Sequence, residues 1–369
     1  MKKITYIFVS GRKDNFLIER DEADEFYYGA KYLKSTGYKV EIIEFDKANF
    51  SKKNPLIYID KFLNKILNIP SYMHKLINLK NFKRVKKTEH LILVNESVGF
   101  SAIPFLIYLK FRKTEVTMFI MGLYSKKISF PKIFFLHKLY IKFLILFIDN
   151  LLILGQEEYE IAKKTHKINK KIVFFPFCID HRFWTSHKKF KLSTNSDILF
   201  VGNDGMRDFI LLKEIAIELP HFDFVYISEN EYIQNLNLSN VRVIRGNWGK
   251  KVLTDIELKN EYLKSRFLIL PLVESNQPSG QSVALQSMSL GIPVLISKTK
   301  GFWDKENFQD KQDIIFVNPN SLENWVKNIN EIYNNLELLE KISHNSKKIV
   351  QSKYNLDLFC KRLTEIIEN

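Results

Sequence analysis

The sequence predicts an α/β protein with doubly wound parallel sheets, and three observations lead to this fold class. An apolar run, a polar loop, a helical pattern, a glycine and a second apolar run follow one another over residues 4–45. The same order returns over residues 267–297. Each stretch has the order of a βαβ unit, from which doubly wound sheets are assembled. The chain of 369 residues also exceeds what one hydrophobic core usually organises, so we expect two domains.

The first βαβ unit has predicted strands at residues 4–9 and 40–45. A loop at 10–20 and a helix at 21–35, ended by Gly37, connect these strands. The loop has no Gly-x-Gly-x-x-Gly motif, which disfavours a dinucleotide site. The rest of this half predicts strands at 91–94, 116–121, 151–154 and 171–175, helices at 100–109 and 157–164, and amphipathic helices with a basic face over 51–87.

The second βαβ unit begins with a buried strand at 267–272 and ends with a strand at 292–296. The helix between them spans 281–290, and Gly291 follows at the position of a left-handed C-terminal cap. The rest of this half predicts strands at 198–202, 222–227, 241–244 and 314–317, helices at 209–219 and 257–264, long helices over 322–339, and a terminal helix at 356–367.

Small residues open the helix of the second unit. Ser279 and Gly280 allow a ligand to approach the backbone at this point. Free N–H groups and the positive end of the helix dipole then form an anion site suited to a phosphate or diphosphate. The alternative is that the two residues only cap the helix.

The net charge of +15 lies almost entirely in the first half of the chain. Residues 1–180 hold 32 Lys and Arg against 18 Asp and Glu, whereas residues 181–369 hold 24 against 23. A one-sided positive field indicates an anionic partner, such as a membrane surface, an acidic acceptor or nucleic acid. A solvated lysine face is the alternative. Residues 126–148 leave a similar choice open, because their lysines and apolar side chains suit either a buried helix or a membrane-docking helix with snorkelling lysines.

Cysteine usage and hydropathy indicate the compartment. Cys178 and Cys360 are too few for a disulfide framework or a zinc site, which predicts a reducing environment. The longest apolar stretch, 133–148, is interrupted by a histidine and two lysines and is too short to cross a bilayer. The first residues lack the apolar length and the cleavage site of a signal peptide. We therefore expect a cytoplasmic protein, either soluble or peripheral on the inner face of the cell membrane.

The run QSMSLGIPVL spans residues 286–295 of the second half. It resembles the second half of the donor-binding signature of retaining glycosyltransferases of the GT-B fold, of the group 1 or family 4 type. Gln286 stands where the family has a Glu. The first half of the signature departs further, because Pro278 stands at the position of the other Glu and Glu274 lies four residues upstream of it.

Two further stretches are similar to the same family. The run FPFCIDHRFW at residues 175–184 resembles the segment that introduces the second domain. Gly202-Asn203, followed by Arg207, resembles a loop that holds the donor diphosphate. The family often has a His after a strand such as 116–121, and residues 118–124 contain none.

The resemblance implies a GT-B fold, in which two Rossmann-like doubly wound domains face each other across a cleft and a C-terminal helix crosses back to the first domain. The implied boundaries are an acceptor-side domain at 1–176, a nucleotide-sugar-binding domain at 177–354 and a terminal helix at 355–369. The implied activity is that of a glycosyltransferase, hexosyltransferase-like, which moves a sugar from a nucleotide-diphosphate donor to a glycan or lipid-linked acceptor. Such a reaction would serve cell-surface polysaccharide or lipopolysaccharide assembly. No cofactor is expected besides the donor substrate.

The resemblance also implies roles for particular residues. Arg207 would clamp the departing diphosphate and Glu274 would approach the sugar, so these two are the expected catalytic residues. The expected donor-binding residues are Gly202, Asn203, Gln277, Ser279, Gly280, Gln281, Ser282 and Gln286, the last as the ribose ligand. Arg12 and Arg20 are candidates on the acceptor side. No metal site is expected, because the chain has no Asp-x-Asp tripeptide.

Two other classes of function stay open on the sequence. A basic and aromatic-rich first half would suit nucleic-acid binding, although no recognised signature of that kind is present and no nucleic-acid partner is expected. The altered Glu pair and the missing His also allow a GT-B-like protein that binds a nucleotide or a glycan without transferring a sugar.

Overall fold

The structure is a computed structural model that describes residues 2–16, 22–46, 54–125, 131–166, 171–186, 196–246 and 252–368. The chain divides into two compact units. The first unit comprises Met1–Arg20, Tyr27–Phe175 and Cys360–Asn369, and the second comprises Asp21–Phe26 and Pro176–Phe359. The short segment 21–26 therefore belongs to a unit whose other residues lie much later in the chain.

The first unit is built on a six-stranded parallel sheet. Its strands are β1 (Lys3–Phe8), β2 (Lys39–Glu44), β3 (His90–Leu93), β4 (Glu115–Ile120), β5 (Asn150–Ile153) and β6 (Lys171–Phe174). They lie in the order β2-β1-β3-β4-β5-β6, and each neighbouring pair is parallel. Every residue of β3 and β5 is buried. These strands are therefore covered on both faces, as is usual in parallel sheets.

Short helices connect the strands of the first unit. They are α1 (Lys13–Phe16), α2 (Ala30–Ser35), α3 (Leu56–Lys65), α4 (Met73–Leu76), α5 (Leu79–Val85), α6 (Glu96–Ser101), α7 (Ile103–Phe111), α8 (Pro131–Ile145) and α9 (Gln156–Thr165). Helix α5 begins after Asn78 and α6 after Asn95, and each Asn side chain accepts a hydrogen bond from a backbone N–H of the first turn. Such N-caps satisfy donors that have no partner within the helix.

The helix predicted over residues 21–35 is wrong in its first half. The structure has an irregular segment at 22–24, a 3-10 turn at Glu25–Tyr27, and helix α2 only from Ala30. Tyr28 and Gly29 have φ angles of 50° and 80°, and left-handed residues of this kind interrupt a right-handed helix. The apolar spacing of this stretch therefore serves two separate short elements.

The second unit is built on another six-stranded parallel sheet. Its strands are β7 (Asp197–Val201), β8 (Phe224–Ile227), β9 (Val241–Ile244), β10 (Ser265–Leu270), β11 (Val294–Ser297) and β12 (Ile315–Val317), and its helices are α10 (Phe209–Glu218), α11 (Glu231–Gln234), α12 (Asp255–Lys264), α13 (Gln281–Ser289), α14 (Leu322–Tyr333) and α15 (Leu336–Lys353). The last helix, α16, spans Leu356–Glu368. The strand order β12-β11-β10-β7-β8-β9 places β7 beside β10. This is the doubly wound order, and its switch point between β7 and β10 is where such sheets bind ligands.

Helix α13 ends as the sequence predicts. Gly291 has a φ of 80°. The N–H of Ile292 donates to the carbonyl of Ser287 at 2.9 Å, and that of Gly291 donates to Met288 at 3.0 Å. These two bonds form a Schellman motif, which requires the left-handed conformation that glycine adopts without strain. The turn into the fully buried strand β11 is therefore fixed by the backbone.

The buried carboxyl of Glu25 fastens segment 21–26 within the second unit. Its Oε1 accepts from Trp184 Nε1 at 2.8 Å and from Gln286 Nε2 at 2.9 Å, while Oε2 accepts from the N–H of Asp180 at 3.2 Å. Glu25 has no exposed surface. Burial raises its pKa to about 7, and the hydrogen bonds from Gln286 and Trp184 oppose this shift.

We expect the free energy of unfolding of the wild type to fall as the pH rises. In Glu25→Gln it should fall less. The folded-state pKa of about 7 lies above the unfolded value, so the folded state holds the proton more tightly. The stability that this contributes is complete below the unfolded pKa and is lost as pH rises through the folded pKa, a change of about 3 kcal/mol. Denaturant unfolding at about pH 5 and about pH 8 measures it.

The exposed Glu160 on α9 provides the control for this measurement. Glu160→Gln should keep the full pH dependence of the wild type. If the free energy of unfolding depends on pH equally in Glu25→Gln and Glu160→Gln, the pKa of Glu25 is not raised by folding.

Candidate functional site

The candidate site lies at the carboxyl ends of β7 and β10, the switch point of the second sheet. The two strands are paired in parallel, so the loops that follow them leave the same edge of the sheet. Met206 and Val273 join these loops through a 2.9 Å backbone hydrogen bond, and Asp208 and Pro271 do so through one of 3.0 Å. The loop after β7 is therefore held against the loop that leads to α13.

Arg207 lies between the two loops and is buried, with 4% of its side chain exposed. Its Nη2 contacts the Asp204 carboxylate at 3.3 Å, while Nε and Nη1 have no hydrogen-bond partner in the protein. Burial lowers the pKa of Arg207, and the neighbouring Asp204 opposes this shift. Buried polar groups nearly always have a partner, because desolvation without one is costly. The two unpaired nitrogens therefore indicate an anionic ligand.

Gly202, directly after β7, makes room for the Arg207 side chain. A Cβ atom at position 202 would lie 2.3 Å from Arg207 Nε and 3.0 Å from its Cγ and Cδ. No side chain can occupy that space while Arg207 keeps its position. The Gly202-Asn203 pair that precedes Arg207 thus has a steric reason at its first residue.

The N-terminus of α13 brings further polar groups to the same place. Gly280 is its N-cap, with a φ of 79° and no side-chain capping bond. Ser279 and Gln281 are 9% and 4% exposed, yet the Ser279 hydroxyl and both ends of the Gln281 amide have no hydrogen-bond partner. A Cβ on Gly280 would lie 3.5 Å from Arg207 Nη1. The guanidinium thus lies at the positive end of the helix, where an anion would meet both.

A second loop packs directly on the segment that precedes α13. The N–H of Gly301 donates to Ser275 O at 2.7 Å, and a Cβ on Gly301 would lie 2.3 Å from Gln277 O. Glu274 accepts from the N–H of Lys300 at 2.9 Å and is exposed. The loop after β11 therefore fixes the course of residues 274–277.

The other predicted donor-site residues have partners within the protein. Asn203 donates to Gly246 O at 2.7 Å and accepts from Ser228 Oγ at 3.0 Å, so it ties together the loops after β7, β8 and β9. Gln277 is half-buried and donates through its N–H to Ser275 Oγ, and Ser282 is half-buried in the first turn of α13.

Gln286 lies within a buried network. It has no exposed surface, and its amide donates to Glu25 and lies 3.3 Å from the Tyr262 hydroxyl. A ribose contact would require this amide to exchange at least one of these partners. Glu25 and Tyr262 gave no signal in the sequence, and Trp184 stood out only as the last residue of the run FPFCIDHRFW, because each meets α13 only through the fold. The ribose role of Gln286 stays a prediction.

The two acceptor-side candidates belong to the first unit. Arg12 follows β1, and its N–H donates to the Glu44 carboxylate, while its guanidinium lies 5.7 Å from the centre of the Tyr27 ring. Arg20 lies outside the described residues. Within the described ranges, no group of three or more His, Cys, Asp or Glu side chains is arranged to hold a metal ion.

Arg207→Ala should weaken the binding of inorganic pyrophosphate by about ten- to a hundredfold, because hydrogen bonds to a charged group are removed. Pyrophosphate at about 100-fold above its Kd should raise the melting temperature of the wild type by about 5 °C. The matched control is Arg242→Ala, which removes a surface arginine paired with Glu261 in the same unit. An equal rise in melting temperature in the wild type, Arg207→Ala and Arg242→Ala would show that Arg207 does not bind the anion.

Gly202→Ala should reproduce the loss seen in Arg207→Ala, because the added methyl group displaces the arginine side chain. Gly205→Ala in the same loop is the control, since a Cβ there meets nothing within 4 Å. Titration calorimetry with pyrophosphate compares the three proteins. Wild-type affinity in Gly202→Ala would contradict the position assigned to Arg207.

Comparison with known proteins identifies the fold. No protein-family profile and no curated protein sequence matches this chain. Among solved structures, sucrose-phosphate synthase from Thermosynechococcus elongatus superposes with a TM-score of 0.73 at 13% identity, over 100% of this chain and 98% of that one. A glycosyltransferase from Rickettsia africae gives 0.67 at 16% identity, over 99% and 97%. HepE from Anabaena, in complex with UDP and glucose, gives 0.65 at 11% identity, over the whole of both chains. The two parallel six-stranded sheets with their helices thus constitute the GT-B fold.

Proposed function

We propose that this protein is a glycosyltransferase that moves a sugar from a nucleotide-diphosphate donor to a glycan or lipid-linked acceptor. The observation that carries the proposal is the buried Arg207 guanidinium, which has two unpaired nitrogens, Nε and Nη1, and whose Nη1 lies at the open N-terminus of α13. A cation, a helix dipole and unpartnered polar side chains suit a diphosphate better than a neutral ligand. HepE, which has the same fold, was solved with UDP-glucose, and this supports a uridine diphosphate sugar as the donor to test first.

The chemistry follows from the leaving group. When the bond between the sugar and the diphosphate breaks, negative charge develops on the departing phosphate oxygen. Arg207 and the first amides of α13 would stabilise that charge more strongly than in water, because the guanidinium is already desolvated and fixed. Gly202 holds this arrangement open, and Ser279, Gly280, Gln281 and Ser282 would bind the phosphates. Such a site needs no metal ion, and metal independence is part of the proposal.

The sugar and acceptor sides of the proposal rest on fewer contacts. Glu274 is exposed and fixed by Lys300, which suits a carboxylate that approaches the transferred sugar together with Gln277. Retention of the anomeric configuration, and an acceptor used in cell-surface polysaccharide or lipopolysaccharide assembly, come from the sequence resemblance. We propose that the basic first unit meets this acceptor at an anionic membrane surface, with Arg12 and Arg20 on the acceptor side.

A GT-B-like protein that binds a nucleotide without transfer is the second candidate. The observation in its favour is the pairing of Gln286 with Glu25 and Tyr262, since a glutamine engaged in this way is less available to a ribose. Tight binding of a nucleoside diphosphate without turnover of any nucleotide-sugar in the presence of acceptors would favour this candidate.

A thermal-shift screen with UDP, GDP, ADP and CMP compounds tests the proposal. We expect a nucleoside diphosphate or its sugar to raise the melting temperature by several degrees, because a ligand that binds only the folded state stabilises it. The same ligand should have little effect on Arg207→Ala and its full effect on Arg242→Ala. Release of nucleoside diphosphate from the selected donor then measures turnover. A screen in which no nucleotide shifts the wild type would reject the donor site.

A further inference from the structure

Helices α3 and α8 of the first unit expose a set of large apolar side chains. Phe135 and Leu139 on α8 are 67% and 53% exposed, and Phe62 on α3 is 53% exposed. The other exposed apolar residues of the two helices are Tyr58, Ile59, Phe134, Leu136 and Phe143, with Ile66 and Leu146 directly after them. We call this set the α3/α8 face. Exposed apolar residues that cluster in this way mark an interaction surface.

Each helix packs its opposite side into the unit. The buried residues of α8 are His137, Ile141, Leu144 and Ile145, and those of α3 are Asp60 and Leu63. On α8 the exposed positions 135, 139, 143 and 146 repeat at helical spacing, as do 59, 62 and 66 on and after α3. The exposed apolar side chains therefore take no part in the core of the first unit.

The segment that directly follows α3 contacts α8. His137 Nδ1 on α8 lies 2.7 Å from the carbonyl of Leu67, which follows α3. The Asp60 carboxylate of α3 also acts electrostatically on Tyr140 of α8. The two apolar stripes thus belong to one region of the first unit.

Lysines accompany the apolar side chains of the α3/α8 face. Lys61 and Lys65 are exposed on α3, and Lys132, Lys138 and Lys142 are exposed on α8. Helix α8 contains no acidic residue. The acidic residue of α3, Asp60, is buried and accepts hydrogen bonds from Ser71, Met73 and His74. The face therefore presents positive charge that no acidic side chain of these helices offsets at the surface.

We infer that the α3/α8 face docks on an anionic lipid bilayer. Exposed Phe, Leu and Ile would enter the headgroup boundary, while the lysine stems extend along them and keep their ammonium groups near lipid phosphates. Aliphatic residues such as Ile59, Ile66 and Leu139 have no role on a nucleic-acid backbone, where cations and stacking rings bind. A second copy of the same face would oppose like charges. The bilayer is the partner that uses both the charges and the apolar side chains.

This inference deepens the proposed membrane-side acceptor but does not depend on sugar transfer, because vesicle binding is measured without nucleotide. We expect the full chain to sediment with vesicles that contain about 30% phosphatidylglycerol and weakly with pure phosphatidylcholine. Lys138→Gln and Lys142→Gln should each lower the affinity by about fivefold, and raising the salt from about 0.1 M to about 0.5 M should lower it further. Phe135→Ser combined with Leu139→Ser should lower it by about tenfold or more.

The controls lie in the second unit. Ile210 is 63% exposed on α10 and Lys327 is exposed on α14, so Ile210→Ser and Lys327→Gln should bind vesicles as the wild type does. A fluorophore sensitive to polarity can be placed by Leu139→Cys or, as the control, Ile210→Cys, because the native Cys178 and Cys360 are buried. On anionic vesicles, only the fluorophore at position 139 should shift its emission to shorter wavelengths.

Three results would overturn the inference. Equal binding to neutral and anionic vesicles would remove the role of the lysines. Unchanged vesicle binding in Phe135→Ser/Leu139→Ser would remove the apolar face. Absence of vesicle binding, with a dimer that this double variant converts to a monomer, would assign the face to a second copy of the chain. A nucleotide-induced melting shift that the double variant retains shows that it is folded, and separates failure of docking from failure of the donor site.

Discussion

The buried guanidinium of Arg207 is the constraint around which the carboxyl edge of the second sheet is built. Its side chain passes over Gly202, where no Cβ fits, and its loop is joined to the β10 loop by backbone hydrogen bonds. A desolvated charge with one partial partner is costly. Asp204 offsets part of that cost, and an anion bound at the unpaired Nε and Nη1 would offset more. The unpaired nitrogens are therefore consistent with the anion site proposed above.

An open helix N-terminus must be fixed from elsewhere. Helix α13 has no capping side chain, so its position depends on its middle and its end. Gln286 donates to Glu25, Ser289 donates to the carbonyl of Trp184 at 2.6 Å, and Gly291 closes the helix with a Schellman motif. These contacts hold the helix while they leave its first amides available. Segment 21–26 thus supports the second unit structurally, although in the amino-acid sequence it falls between two parts of the first unit.

The parts of this structure that could be predicted from the sequence are those with a local signal. The strands of both sheets and helix α13 follow from apolar runs, spacing and Gly291, and comparison with solved structures confirms the α/β GT-B fold. The helix over 21–35 was wrong, because apolar spacing does not reveal the left-handed Tyr28 and Gly29. Ser279 follows from the small residues that open α13, and Arg207 and Gln281 from the resemblance, but their convergence depends on the pairing of β7 with β10. Glu25 and Gln286 are far apart in the sequence. No local sequence pattern predicts a contact of this kind.

The two units use positive charge in physically different ways. In the second unit the Arg207 guanidinium is desolvated, so its field is strong, directional and little affected by salt. In the first unit the lysines of the α3/α8 face remain in water, so each contributes little and their sum acts only within a Debye length of a charged surface. A buried arginine can discriminate the geometry of one diphosphate, whereas solvated lysines respond to the charge density of an extended surface. The excess charge of the first half therefore fits attraction to an extended surface, while the proposed selection of a small anionic ligand depends on the desolvation of Arg207 in the nearly neutral second half.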